Sequence, residues 1–350
     1  MSPDYIRRVL NETPTRLWIN NPTGEEIGRA LAAGAIAGTT NPSYCSKLLQ
    51  REPGYIGPII ASSAREIADT DAAADLVYQR VTQRFMRAFL PLYQKSSGRE
   101  GFVTMQDNPN QDEDPQAIVA AAHRHRQVGA SYMAKIPVIE AGLEAMARLI
   151  PENIPICATE CFSLSQAIAM CDLYESVGNK CGTYPPFFIT HITGIFDEEI
   201  KSFVAREAVA IEPELAAQAG CIVARRIYKL IKKRGYRATL LGGGARGPEH
   251  FTEFVGGDLH ITLNWDTIQE LIAAAPPLVS RIDTEPPAEV IAELCRKLPD
   301  FSRAYHEDGL APAEFKGFAP LQRFRNSFLK GWDDLRQALE NSRKNQAAGG

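Results

Sequence analysis

A single lysine interrupts an apolar run near the middle of this chain: Ser131-Tyr132-Met133-Ala134-Lys135-Ile136-Pro137, closed by a proline and followed by a helix-like segment. An ammonium in apolar surroundings loses hydration worth several kcal/mol, so such a lysine either finds a partner or lowers its pKa and becomes a nucleophilic amine. A desolvated, neutral lysine attacks carbonyls. The bland alternative is a stem that passes apolar neighbours and carries its head to water at the end of a strand. The surroundings of position 135 decide between the two.

Eight short apolar or β-branched runs recur along the chain, at residues 16–20, 35–40, 101–106, 131–136, 154–160, 186–192, 237–243 and 259–264. Between them lie segments with helical spacing, among them 25–34, 115–130, 139–150, 163–178 and 265–275. Eight strand–helix units predict an α/β fold of the closed (β/α)8 TIM-barrel type rather than an open doubly wound sheet, and no Gly-x-Gly-x-x-Gly follows the first strand to suggest a dinucleotide site. Residues 62–94 read as a long extra helical stretch between strands two and three, for packing or as a lid. The alternation stops after residue 275. Pro276-Pro277 and Pro286-Pro287 punctuate the remainder of the chain, 288–298 reads as a helix, and 324–342 reads as another with Phe328, Trp332 and Leu335 on one stripe. The expected organisation is a barrel over 1–275 and a C-terminal helical extension over 276–350, docked on the barrel's outside or rim, with the last six residues frayed.

Charge and composition narrow the partners. The 38 basic and 42 acidic residues give a formal net charge of -4, with no basic face to neutralise phosphates, so a nucleic acid is not expected. No apolar stretch approaches the ~18 residues of a membrane span, and the first residues carry no signal-peptide core. A soluble, cytoplasmic protein without a membrane partner is expected. Seven cysteines without Cys-x-x-Cys spacing favour neither a disulfide framework nor a zinc site. His250 and His260 have no ligand-like neighbours, so no metal or other cofactor is expected. His123 and His125, flanked by Arg124 and Arg126, read as a solvated helix face.

In such a barrel the site lies where the strands end, and period-two alternation picks out the inward set. Met133 shares the face of Lys135. On the fifth strand Cys157, Thr159 and Cys161 share one face and Glu160 takes the other. The remaining strands end at Asn20-Asn21, at Thr39-Thr40-Asn41-Pro42-Ser43, at Gln106-Asp107, at Thr190-His191 and at Gly242-Gly243-Gly244-Ala245-Arg246. Parity turns Asp107, Glu160 and His191 away from the lumen. A polar ring then surrounds one amine.

Three stretches carry a resemblance. Gly38-Thr39-Thr40-Asn41-Pro42-Ser43, Lys135-Ile136-Pro137 with Glu140-Ala141-Gly142-Leu143, and Ala158-Thr159-Glu160-Cys161-Phe162-Ser163 with Gln166-Ala167 resemble the transaldolase family, in order and at family-like spacing from about Leu17 to about Leu271. The resemblance implies a (β/α)8 barrel in which Lys135 forms a Schiff base with a ketose and carries a dihydroxyacetone-type three-carbon unit to an aldehyde. It implies substrate contacts from Thr39, Asn41 and Thr190, an orienting role for Thr159, and a phosphate or other anion on Arg246. Asn20 and Gln106 stand where the family has catalytic carboxylates, Cys157 where an asparagine contacts substrate, and Ile195 where a second phosphate-binding arginine is usual. The related fructose-6-phosphate aldolases resemble this chain at Gln106 but not at Phe162, where they have tyrosine.

These departures leave three outcomes open: a transferase of a sugar or sugar-phosphate ketose, an aldolase-type lyase that releases the three-carbon unit, and a non-catalytic barrel that binds a sugar or a protein. An amide orients a hydroxyl or a water but cannot take a proton near neutral pH, so the proton relay must differ from the family's. The family's longer members suggest a homodimer, which the unmatched C-terminal helices leave open.

Overall fold

In the computed structural model, which describes residues 5–348, eight parallel strands close into a barrel in chain order. They are β1 (Arg16–Asn20), β2 (Ala37–Thr39), β3 (Val103–Gln106), β4 (Tyr132–Pro137), β5 (Ile156–Cys161), β6 (Phe187–Ile192), β7 (Thr239–Gly243) and β8 (His260–Leu263). β8 pairs with β1, so no edge is left open. Each expected run matches its strand to within two residues at either end, and the barrel topology is the expected one.

Strand parity divides the core in two. Outward residues such as Leu17, Ile19, Val103, Ala134, Ile136 and Ile189 pack with the surrounding helices. Inward residues Trp18, Ala37, Phe102, Met133, Cys157, Phe188 and Leu241 form a separate cluster that fills the lumen below the strand ends. Trp18 donates its indole N–H to His260 Nδ1 at 2.8 Å and meets Phe188 edge-on, so the floor is solid rather than a pore.

The helices start where the local chemistry says they should. Thr23 and Glu26 make a reciprocal capping box at Gly24–Ala33, Asp114 caps Pro115–Arg126, and Ser163 caps Leu164–Cys181. The extra stretch after β2 is three helices, Tyr44–Arg51, Pro53–Glu66 and Thr70–Lys95. The expected helical stretch over 62–94 is interrupted at 67–69, where Asp69 caps the following helix through Ala72 N. Gly38 shows how hard that last helix presses on β2: a Cβ there would fall 2.0 Å from Phe85 Cζ.

Past β8 and its helix, Ala288–Lys297 forms close to expectation, and the chain ends in a 30-residue helix, Ala319–Ala348. The expected fraying of the last six residues is corrected as far as Ala348, because the helix continues to that residue; 349–350 lie outside the described residues. Leu321, Phe328, Trp332, Leu335 and Leu339 are all buried. The helix runs over the helices that follow β2, and Gly331 permits the approach, since a Cβ there would lie 2.6 Å from Ser43 Cα. No described helix is long and apolar enough to cross a membrane.

Candidate active site

Lys135 reaches up from β4 into the lumen and is 5% exposed. Its ammonium donates to Thr40 O at 3.2 Å and faces the ring of Phe328 at 5.7 Å. Thr40 is itself fixed, its hydroxyl donating to Thr104 O at 2.6 Å and meeting Tyr78 Oη at 2.5 Å. One carbonyl and one ring face do not replace a hydration shell, and burial accordingly pulls the Lys135 pKa below the ordinary lysine value against the opposing influence of Cys157 and Glu160. The amine lies at the base of a cavity of about 200 Å³ that opens at the strand ends.

One wall of that cavity is a hydrogen-bonded chain across β1, β2 and β8. Thr39 donates its hydroxyl to Asn20 Oδ1 at 2.9 Å and meets Thr262 Oγ1 at 2.8 Å, while Asn20 Nδ2 donates to Asn264 Oδ1 at 2.9 Å. An amide suits position 20 here because it both accepts and donates; an aspartate would accept only. Asn41 is oriented by two donors, Asn21 Nδ2 at 3.1 Å and Ser43 N at 3.0 Å. On the opposite wall Thr190 Oγ1 lies 3.1 Å from Cys157 Sγ. Asn20, Thr39, Asn41, Lys135, Thr190 and Arg246 all line one cavity, whereas Cys157, Thr159 and Gln106 are buried beside or beneath it.

The fifth strand departs from simple alternation. Its register with β6 shifts between Ala158 and Cys161, and Glu160 takes a left-handed backbone with φ 61°. This corrects two expectations. Cys161 leaves the lumen face and packs with the outer core, and Glu160 does not turn away: its Oε1 accepts from Gln106 Nε2 at 2.8 Å. Gln166 explains the local sequence, because its amide donates to both Val138 O and Glu160 O at 3.0 Å and so ties the ends of β4 and β5 together. Burial, reinforced by Asp112, pushes the Glu160 carboxyl up to about 7 against Gln106, Lys135 and Arg325.

At the mouth, Arg246 donates Nε to Glu198 Oε1 at 2.6 Å, and its backbone N–H donates to His250 Nδ1 at 2.9 Å. That bond fixes the His250 tautomer, leaving Nε2–H for Asp197 Oδ2 at 2.8 Å. Ile195 is buried and offers no charge. Arg323, on the C-terminal helix, lies 3.7 Å from Glu198 and 3.1 Å from Glu199, so a second guanidinium arrives from an element that strand-end reading does not inspect. Phe324, Ser327 and Phe328 of the same helix complete the cavity wall. The helix is fastened there by Arg325, which grips Asp112 bidentately at 2.8 and 2.9 Å.

The other histidines sort by environment. His191 turns outward as parity predicts, bonds Thr193 Oγ1 at 3.1 Å, and is held neutral by burial, its pKa drawn down to about 3. His123 is exposed and pairs with Glu152 at 2.8 Å. The expectation of a solvated face fails for His125, which is 1% exposed and bonds Asp75 Oδ1 at 2.5 Å. Asp75, Asp107 and His125 place one potential ligand atom each within 4.8 Å of one another. That cluster sits behind β3, where the His125–Asp75 bond already engages the imidazole and Arg124 supplies the cation. The seven cysteines are all free.

A family model described as transaldolase/fructose-6-phosphate aldolase matches residues 17–313. Among curated proteins, a transaldolase of Helicobacter pylori (strain Shi470) is 27% identical over 212 residues, covering 59% of this chain and 61% of its own length. A transaldolase of Thiobacillus denitrificans is 22% identical over 229 residues, 60% of this chain and 64% of its own. One from Mycobacterium tuberculosis (strain ATCC 25618 / H37Rv) is 26% identical over 202 residues, 54% and 53% respectively. The chain therefore spans less than two thirds of the length of each of these relatives. With the family match extending over most of a closed eight-stranded barrel, the chain belongs to the transaldolase/fructose-6-phosphate aldolase family.

Proposed function

We propose that this protein is a transaldolase-like enzyme that forms a Schiff base at Lys135 and transfers or cleaves a dihydroxyacetone-type three-carbon unit of a sugar or sugar-phosphate ketose. The observation that carries the reading is the buried Lys135 amine, held by a single carbonyl at the base of a polar cavity and depressed in pKa. Neutral Lys135 attacks the ketone, water leaves to give an iminium, and the bond beside it breaks with the carbanion held as an enamine. Asn41, Thr39 and Thr190 orient hydroxyls; Asn20, bonded on both sides, keeps Thr39 and Asn264 in place. Transfer to an acceptor aldehyde makes the protein a transferase, and protonation and hydrolysis make it a lyase. We further propose that the helices after residue 275 serve the same site and that it works as a cytoplasmic enzyme without a cofactor.

Borohydride reduction in the presence of dihydroxyacetone or fructose 6-phosphate tests this directly. A mass increase located at Lys135 is expected; no adduct there ends the enzyme reading in favour of a barrel that only binds. Exchange of a three-carbon unit between fructose 6-phosphate and erythrose 4-phosphate separates transferase from lyase.

Arg246 is the anion contact in this reading. A charge-assisted bond contributes roughly 1.5–3 kcal/mol, so Arg246→Ala is expected to raise KM for fructose 6-phosphate by about 10- to 100-fold and leave that for dihydroxyacetone unchanged. Equal effects on both substrates exclude a phosphate contact.

A further inference from the structure

Three buried polar atoms near Lys135 have no hydrogen-bond partner among the described residues: Gln106 Oε1, Thr159 Oγ1 and Glu160 Oε2. They lie on β3 and β5, the two strands that flank Lys135 on β4. Gln106 stands opposite Lys135 in the β3–β4 register, Thr159 follows Cys157, which stands opposite Lys135 on β5, and Glu160 is joined to Gln106 at 2.8 Å. Buried polar groups are almost always satisfied, and three orphans around one amine require an explanation. Glu160 also holds a backbone conformation that non-glycine residues avoid, φ 61°, which the Gln166 bond to its carbonyl maintains. Strain and unmet hydrogen-bonding capacity in the same residue mark a functional position rather than a folding device.

We propose that Glu160, positioned by Gln106, is the proton-transfer residue for forming and hydrolysing the Schiff base at Lys135. The proposal rests on the Schiff-base reading given above. When Lys135 has added to a ketone, the carbinolamine hydroxyl takes a proton from the Glu160 carboxyl and leaves as water. The nitrogen lone pair closes the C=N bond, and Glu160 is left as the carboxylate. Hydrolysis runs the other way: water bonds to the iminium carbon and its proton returns to Glu160. Gln106 cannot carry that proton and instead fixes the carboxyl. Asp112 from the loop after β3, Lys135 from β4 and Arg325 from the C-terminal helix are the charged groups that act on Glu160, and burial pushes its carboxyl up to about 7, a range suited to both giving and taking a proton.

The test compares wild type, Glu160→Gln and the exchanged pair Glu160→Gln/Gln106→Glu, using rapid-quench borohydride trapping with fructose 6-phosphate and with dihydroxyacetone across pH 5–9. Glu160→Gln is expected to trap at Lys135 about 10²-fold more slowly and to lose the limb of the pH–rate profile near 7. The exchanged pair returns a carboxyl to the site and is expected to recover at least tenfold of the rate, which separates proton transfer from a folding defect. Wild-type trapping with an unchanged rate and profile in Glu160→Gln overturns the proposal while leaving the Schiff base intact. A slow exchanged pair with a wild-type melting temperature overturns it as well. No adduct in wild type removes both readings.

Discussion

Lys135→Met is expected to abolish turnover, by ~10⁴-fold or more, and to make the protein more stable. On the Schiff-base proposal, the first half follows from losing the group that forms the covalent intermediate, since no other described lysine lines the cavity. The second half follows from the environment. Lys135 is 5% exposed with one hydrogen bond, to Thr40 O, and burial depresses its pKa. A depressed amine pKa in the folded state means that its contribution to stability is present above the unfolded lysine value and lost as pH falls through the folded one. Methionine has nearly the same length, no charge and no need of hydration. Melting temperatures should therefore converge near pH 10 and separate as pH falls, with the variant higher by a few degrees at pH 7. A variant that melts below wild type at pH 7 means that the ammonium is well paired, and the argument for a reactive amine fails with it.

Glu160 exerts a stability cost at the same place with the opposite pH dependence. Its carboxyl is raised, so its contribution is present below the unfolded glutamate value and declines as pH rises through about 7. Near neutrality the wild-type site thus carries two groups whose charged forms burial disfavours, on adjacent strands around one cavity. Retaining both is expected of a site maintained for reactivity, and stability is what such sites give up.

Much of this was legible in the sequence, for reasons that can be named. Strand positions were visible because a barrel repeats one unit eight times, and Lys135 stood out because charge is rare in a strand buried on both faces. Parity placed Met133, Cys157 and His191 correctly. It failed at Glu160 because alternation assumes extended backbone throughout, and a left-handed residue beside a register shift has no marker in residue type when the residue is not glycine. His125 did have a signal: Ile118, Ala121, Ala122 and His125 recur at helical spacing and are all buried, but the flanking arginines drew the reading outward. The wall formed by Phe324, Ser327 and Phe328 was legible only as far as a helix docked on the barrel's outside or rim. The apolar stripe indicates that the last helix packs against something, while only tertiary structure shows that this lies across the strand ends.

That wall is open to test through a residue that does not touch the cavity. Trp332 sits one turn beyond Phe328, is 1% exposed, and donates its indole N–H to Asp71 Oδ1 at 2.8 Å. Removing a buried tryptophan side chain costs about 3–5 kcal/mol, so Trp332→Ala is expected to lower the urea midpoint clearly. It also leaves Asp71 with Arg336 alone, at 3.3 Å. Trp332→Phe keeps most of the packing and loses the bond, worth roughly 1 kcal/mol, and isolates the smaller effect. Loosening this turn is expected to free Phe328 from Lys135 before the barrel itself unfolds, because the barrel's strand pairings are independent of the helix. The consequence is a selective one: at urea concentrations where barrel fluorescence and secondary structure are native, Trp332→Ala should show faster proteolysis within 319–348 and a raised KM for the ketose donor. A variant that loses stability only in one concerted step with the barrel, with KM unchanged up to that point, would show that the helix buttresses the fold and takes no part in closing the site.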